Sequence, residues 1–201
     1  DYAHVIDAFI ALYEVTLDEQ WLSTSKALTD YTFDHFFDAK SGMFYFTSDE
    51  DAALISSKIE LEDNVIPASN SIMARNLFRL SHYFENKYYR RICENMLQTV
   101  KDRAIEYGSA YSNWLQLLCD LSGPYYEIAV LGPKAKEMVN TMHTNYIPNS
   151  LVCGSTTASN LPLLKQRFQE NQTRIYVCED GTCKLPVGSV ESAMDQLSLN
   201  F

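Results

Sequence analysis

A chain of 201 residues has the length of one large domain or of a domain with an appendage, and 46% hydrophobic residues with only seven glycines and six prolines describe a folded polypeptide. The formal net charge of −10 is concentrated in residues 1–123, which hold 10 Lys/Arg against 19 Asp/Glu. So acidic a first part repels phosphate backbones and disfavours nucleic acid as a partner, while neutral ligands such as sugars stay compatible. No apolar run approaches the roughly 18 residues that a bilayer crossing takes, so a membrane is not expected as a partner.

The first residues, "DYAHVIDAFIALYEV", lie inside a helical pattern and lack an initiator methionine. The expectation is a piece of a longer protein, cut on its N-terminal side, from which no localisation can be read. Apolar residues at Val5, Ile6, Phe9, Ile10, Leu12 and Tyr13 give the first helix its spacing. A second helix is predicted from Glu19 to Phe37, after Asp18 as N-cap. "DAKSGMFYFTSDED" breaks the period, and a short hairpin arm turning at Gly42 is predicted to reach toward "ISSKIEL". Three more helices are predicted: one starting near Pro67 to Ser71, one over Lys87 to Tyr107, and one over Ser109 to Leu121.

An internal repeat at an offset of 68 residues maps Leu12, Asp18, Trp21 and Ser25 onto Leu80, Asn86, Tyr89 and Cys93. Helical hairpins repeated in this way stack side by side and can close into a ring. Beyond Gly123-Pro124 the character changes. "EIAVLG" and "SLVCGS" read as strands around a helix from Pro133 to Thr144, and Leu161 to Glu170 reads as helix. "RIYVCEDGTCKLPVGS" reads as a hairpin turning at Asp180-Gly181, before a last helix over Val190 to Leu197. The fold class expected is mainly α. Residues 1–123 form helical hairpins, and residues 124–201 form a small α/β subdomain.

The densest polar stretch is "EDNVIPASNS", residues 62–71. Glu62, Asp63, Asn70 and Ser71 admit two readings. Either they line a pocket, with Asp63 as acid or base, or they cap the helix that follows, where acidic and hydroxyl groups meet free amides. Asp1, Tyr2, His4 and Asp7 form a second group, in which Asp1 and His4 lie one turn apart on one helix face that could meet a ligand or simply face solvent. Lys58 and Glu60 share a face of an extended stretch.

Among five cysteines only Cys178 and Cys183 are close, and they can face each other across a hairpin as a disulfide. The histidines at 4, 35, 82 and 143 are dispersed, so no metal site is expected. "AVLGPKAK" lacks both the Gly-x-Gly-x-x-Gly and the Walker pattern, and no cofactor is expected.

In this order the pieces resemble the C-terminal part of a family of thioredoxin-domain-containing proteins that includes the spermatogenesis-associated thioredoxin-like proteins. "DYAHVIDAFIALYE" resembles that family's "DDYAFLI…LLxLYE" helix, and "DEQWLSTSKALTDYTFDHFFDAKSGMFYFT" its Trp helix followed by "FxDxxxGGFFxT". Lys58 to Ser71 resembles "KxxxDGAxPSGNS", and "YVCEDGTCKLPV" a late hairpin with two cysteines. Asp1, Tyr2, Lys58, Asp63, Pro67, Asn70 and Ser71 keep the pattern. Asn64-Val65 stands where Gly-Ala is expected and Ala68-Ser69 where Ser-Gly is, so the loop is bulkier than the family's.

The resemblance implies the last hairpins of an (α/α)6 toroid, similar to six-hairpin glycosidases and N-acylglucosamine 2-epimerases, followed by the α/β lobe. It also implies a carbohydrate pocket with Asp63 as catalytic candidate and Asp1, Tyr2, Lys58, Glu62, Asn70 and Ser71 as ligand contacts. The partners implied are a carbohydrate, the remainder of the toroid and a thioredoxin-like domain outside this chain. The alternative is a non-catalytic scaffold that presents protein clients to that domain.

Overall fold

The computed structural model describes residues 1–51 and 58–197. It is mainly α with an α/β part, and its contacts divide it into two units. The first holds Asp1–Ile10, Gln20–Ser81 and Asn86–Cys119; the second holds Ala11–Glu19, His82–Glu85 and Asp120–Phe201.

Five helices carry the first part of the chain: α1 (Tyr2–Thr16), α2 (Glu19–His35), α3 (Ser69–Tyr83), α4 (Lys87–Glu106) and α5 (Ser112–Ser122). In α1, Ile6, Ile10 and Tyr13 are fully buried, a stripe at helical spacing. In α4 the stripe runs through Tyr89, Ile92, Cys93, Met96, Val100 and Ala104. Asn86 starts α4 as N-cap, its side chain accepting the amides of Tyr88 at 3.0 Å and Tyr89 at 3.2 Å. The repeat seen in the sequence has a backbone counterpart. Leu17 and Glu85, 68 positions apart, both sit at positive φ (60° and 48°) in the turns that join α1 to α2 and α3 to α4.

Within the first unit the hairpins pack side by side. Asn76 Nδ2 of α3 donates to the Ala3 carbonyl of α1 at 2.6 Å, and Arg79 pairs with Asp7 at 3.0 Å, so α1 and α3 run in the same direction. Arg75 of α3 reaches Asn113 Oδ1 of α5 at 3.0 Å. On the other layer Phe33 of α2 stacks on Tyr89 of α4 with ring centroids 5.8 Å apart. Between α2 and α3, β1 (Phe37–Asp38) and β2 (Met43–Phe44) form a short antiparallel hairpin. Its continuation meets Lys58, whose carbonyl accepts the Phe46 amide at 2.8 Å. The rest of the expected arm, toward Ile55, lies outside the described residues.

The second unit is built on a four-stranded sheet in the order β4-β3-β5-β6, from β3 (Tyr126–Leu131), β4 (Ser150–Ser155), β5 (Arg174–Glu179) and β6 (Thr182–Cys183). β3 pairs with β4 in parallel through the crossover helix α6 (Ala135–Met142), and with β5 antiparallel. One sheet face, with Ile128, Val130, Val152, Ile175 and Val177, packs on α6 and on α7 (Val190–Gln196). Gly132 turns the chain out of β3 at φ 127°, where a Cβ would lie 2.2 Å from the Gln172 carbonyl. β5 returns into β6 over Asp180 and Gly181, both at positive φ (48° and 75°), as the Asp-Gly pair predicts.

Two expectations need correction. α6 is shorter than Pro133 to Thr144. Leu161 to Glu170 is not a helix: it makes one turn, with the Leu164 and Lys165 amides both donating to the Leu161 carbonyl. Gln166 at φ 62° then stops propagation, while Leu161, Leu163 and Leu164 are buried.

Candidate functional site

The polar stretch 58–71 lies at the N-terminal ends of α3 and α5. Asp63 is buried and its carboxylate is fully engaged. Oδ1 accepts the Ala68 amide at 2.9 Å and the Ser71 hydroxyl at 2.6 Å, and Oδ2 accepts the Asn113 amide at 2.9 Å. Ala68 precedes α3 and Asn113 lies in the first turn of α5, so one side chain satisfies free amides of two helices. The Asp63 amide donates to the Ala110 carbonyl at 2.7 Å, and Trp114 Nε1 to the Leu61 carbonyl at 2.8 Å. The loop is thereby fastened to the start of α5.

Asn70 is fully buried and points away from its own helix. Its Oδ1 accepts the Phe44 amide at 2.8 Å, and Nδ2 donates to the carbonyls of Phe44 and Glu60, each at 2.9 Å. It completes the edge of β2 as a further strand residue would. Ser71 is fully buried beneath Asp63. Glu62 is exposed, with Tyr111 Oη at 3.4 Å from Oε1. Lys58 is exposed, 3.5 Å from Glu60 Oε1 and 5.8 Å from the centre of the Phe46 ring.

Beside this network is a cleft of about 410 Å³, open to solvent. Asp1, Tyr2 and Ala3 at the start of α1 form one side, and Phe36, Phe44, Tyr45 and Phe46 form the aromatic wall. Thr32, Ser69 and Met73 complete it. Tyr2 stacks on Tyr31 at 5.2 Å and lies against Phe36 at 5.3 Å. Ser69 Oγ is buried there with no hydrogen-bond partner among the described residues. Of the residues singled out from sequence, Asp1 and Tyr2 line the cleft; Lys58, Glu62, Asp63, Asn70 and Ser71 are not in its lining, and Asn70 holds Phe44 of its wall. The aromatic wall was not singled out as a site. Its signal was present in "MFYFT", which composition assigns to a strand; Phe44 is buried and Phe46 is exposed.

The hydrogen bond from Tyr31 to Glu50, at 2.7 Å, raises the phenol above its ordinary value, with desolvation adding to it. His35 is likewise raised, first by its hydrogen bond to Asp49 at 2.9 Å. Asp38 is lowered, first by the Ser41 hydroxyl and then by the Lys40 amide. Among the described residues no group of His, Cys, Asp and Glu could hold a metal ion, and no helix is long and apolar enough to cross a membrane.

In the second unit Cys178 and Cys183 are joined across the β5–β6 hairpin. Cys93 and Cys153 are buried free thiols. Burial pushes Cys93 up to about 12 and raises Cys153 further, so neither is a nucleophile at neutral pH.

No family model matches the chain. It is 27% identical over 199 residues to human spermatogenesis-associated protein 20, and 25% identical to the mouse and rat proteins of that name, in each case over 93% of this chain. The chain spans about a quarter of the length of these relatives. Over nearly all of its own length, then, the chain is similar to spermatogenesis-associated protein 20, in agreement with the resemblance that its motifs carry.

Proposed function

We propose that the cleft at the start of α1 and α3 binds a small carbohydrate-type ligand, and that the first unit is a section of an (α/α)6 toroid. The observation that carries the ligand reading is Ser69 Oγ, a buried hydroxyl without a partner set against an aromatic wall. A buried polar atom left unpaired is costly and calls for a group to satisfy it. A sugar hydroxyl supplies that group, and the apolar faces of a sugar ring suit Tyr2, Phe36 and Phe46. Asp1 is the carboxylate of the cleft lining and takes the role of hydroxyl acceptor. The toroid reading draws on the side-by-side hairpins and on the exposed apolar residues Val5 of α1 and Ile105 of α4, which more helices of a ring would cover.

Asp63 enters this reading as the residue that fastens the loop beside the cleft. Three donors already occupy its carboxylate, which leaves it poorly placed to carry a proton to or from a sugar. Binding is therefore favoured over hydrolysis, which takes two carboxylates about 5–10 Å apart. The alternative of a scaffold for protein clients is supported by Val65 and Ile66, exposed to 96% and 67% at the tip of the same loop. Titration calorimetry of the intact protein against mono- and disaccharides tests the first reading. Binding weakened about tenfold or more by Phe46→Ala and by Ser69→Ala supports it. Absence of binding across the panel, or binding indifferent to both changes, rejects it in favour of protein partners, for which Val65→Ser with Ile66→Ser is the matching variant.

A further inference from the structure

Backbone pairing holds the register of the β5–β6 hairpin beside its disulfide. Glu179 pairs with Thr182, and the Lys184 amide donates to the Val177 carbonyl at 2.9 Å. Joining Cys178 to Cys183 closes a loop of only a few residues, the case in which a cross-link removes least chain entropy. The bond is therefore a minor contributor to the fold of this hairpin.

A cation is nonetheless placed on it. Arg167 Nη1 lies 3.4 Å from the Cys178 sulfur and Nη2 lies 3.3 Å from the Cys183 sulfur, while the guanidinium covers the Tyr176 ring at 5.1 Å. Arg167 makes no ion pair with a carboxylate among the described residues. A neutral disulfide gains little from a full positive charge; a thiolate gains a charge-assisted hydrogen bond. The nearest buried carboxylate, Glu127, faces Cys178 across the strands but is held by His82 at 2.6 Å. Glu179 and Asp180 lie with Lys184 around an open cleft of about 530 Å³ whose lining includes both cysteines. Within that cleft Cys183 is partly exposed and Cys178 is buried.

We propose that Cys178–Cys183 is a thiol–disulfide exchange site, reduced by a dithiol, with Arg167 as a positioning residue that stabilises the departing thiolate. One thiolate of the dithiol attacks the accessible Cys183 sulfur in line with the S–S bond. That bond breaks, and its electron pair leaves on the Cys178 sulfur beneath Arg167. The second thiol of the dithiol loses its proton and attacks its partner sulfur in the mixed disulfide, releasing Cys183 as a thiolate. The dithiol ends as a disulfide, two electrons have passed to the protein, and the two protons it gave up are available to the two cysteines.

The test is the rate at which dithiothreitol reduces the pair in the native protein, followed by quenching with N-ethylmaleimide and mass spectrometry of the labelled peptides. Near-UV circular dichroism, recorded in parallel, reports folding. The expected result is complete labelling of Cys178 and Cys183 with the fold intact, about tenfold slower in Arg167→Gln and largely restored in Arg167→Lys. Labelling only as the protein unfolds, or an Arg167→Gln rate equal to that of the unchanged protein, overturns the proposal. If Arg167→Gln does not fold, the reduced unchanged protein decides. A thiolate absorbance at 240 nm that titrates well below about 8.5 supports the site, and an ordinary titration rejects it.

Discussion

The Oδ2 of Asp63 accepts the backbone amide of Asn113 at 2.9 Å, across fifty positions of sequence, while Oδ1 accepts the Ala68 amide at the same distance. One carboxylate thus closes the starts of α3 and α5 together. Asp63→Ala leaves the Ala68 and Asn113 amides unpaired, while the Ser71 hydroxyl keeps the Ala68 carbonyl as acceptor at 2.9 Å. The expected loss is about 2–4 kcal/mol, two caps' worth, read as a lower urea midpoint. Asp63→Asn keeps one acceptor and turns an amide toward a donor, so an intermediate loss is expected. An unchanged midpoint in both variants would show that the carboxylate does not hold the two helices.

Asn70 supplies both a donor and an acceptor to Phe44 from a fully buried position. Asn70→Asp keeps the shape but turns an acceptor on the carbonyls of Phe44 and Glu60. It is expected to cost more than Asn70→Ala, itself about 2–3 kcal/mol. Amide hydrogen exchange at Phe44 checks the placement: protection there should fall in both variants before it falls in α4.

The His35 ring is paired with Asp49, and its folded pKa stands above the ordinary value of about 6.5. The proton is held more tightly in the folded state. The stabilisation is therefore fully present below about pH 6.5 and is lost as pH rises through the folded pKa. An NMR titration of the His35 ring should give a midpoint above that of an unfolded peptide, and Asp49→Asn should bring it down.

Tyr13 and Gly154 fix the second unit. The phenol donates to the Gly154 carbonyl and accepts the Gly154 amide, each at 3.2 Å, and burial raises its pKa well beyond the usual range. Tyr13→Phe leaves a buried amide and carbonyl short of a partner, a cost of about 1–3 kcal/mol. Gly154→Ala is expected to be worse, because its Cβ would meet the Val130 carbonyl at 2.6 Å and push β4 out of register with β3. Thermal melts rank the two, and equal melting temperatures for Gly154→Ala and the unchanged protein would count against the close approach.

What the sequence disclosed follows the range of the interactions involved. The hairpin repeat, the Asp180-Gly181 turn and the strands "EIAVL" and "SLVCGS" rest on local periodicity and turn chemistry, and all are present. The stretch after Leu161 has helical spacing, yet its leucines are buried in a turn that Gln166 interrupts, which no local rule encodes. Asp63 shows the same divide. Capping of the following helix is a short-range reading, but the Asn113 amide comes from fifty residues away. The cleft was hidden for the same reason, since Tyr2, Phe36, Phe46 and Ser69 meet only in three dimensions.

The place of β3 in its sheet bears on how the chain is made. All six of its residues are buried, and both neighbouring strands come later in sequence. During synthesis "YEIAVL" emerges with two bare edges, waits for Ser150 to gain its parallel neighbour and for Arg174 to gain its antiparallel one. Over that interval it is an unpaired apolar strand of the kind that adheres to other chains. The helices made before it satisfy their backbone groups within themselves and present no such bare edge. The interval between the emergence of "YEIAVL" and that of its two partner strands is thus when this protein most needs a chaperone.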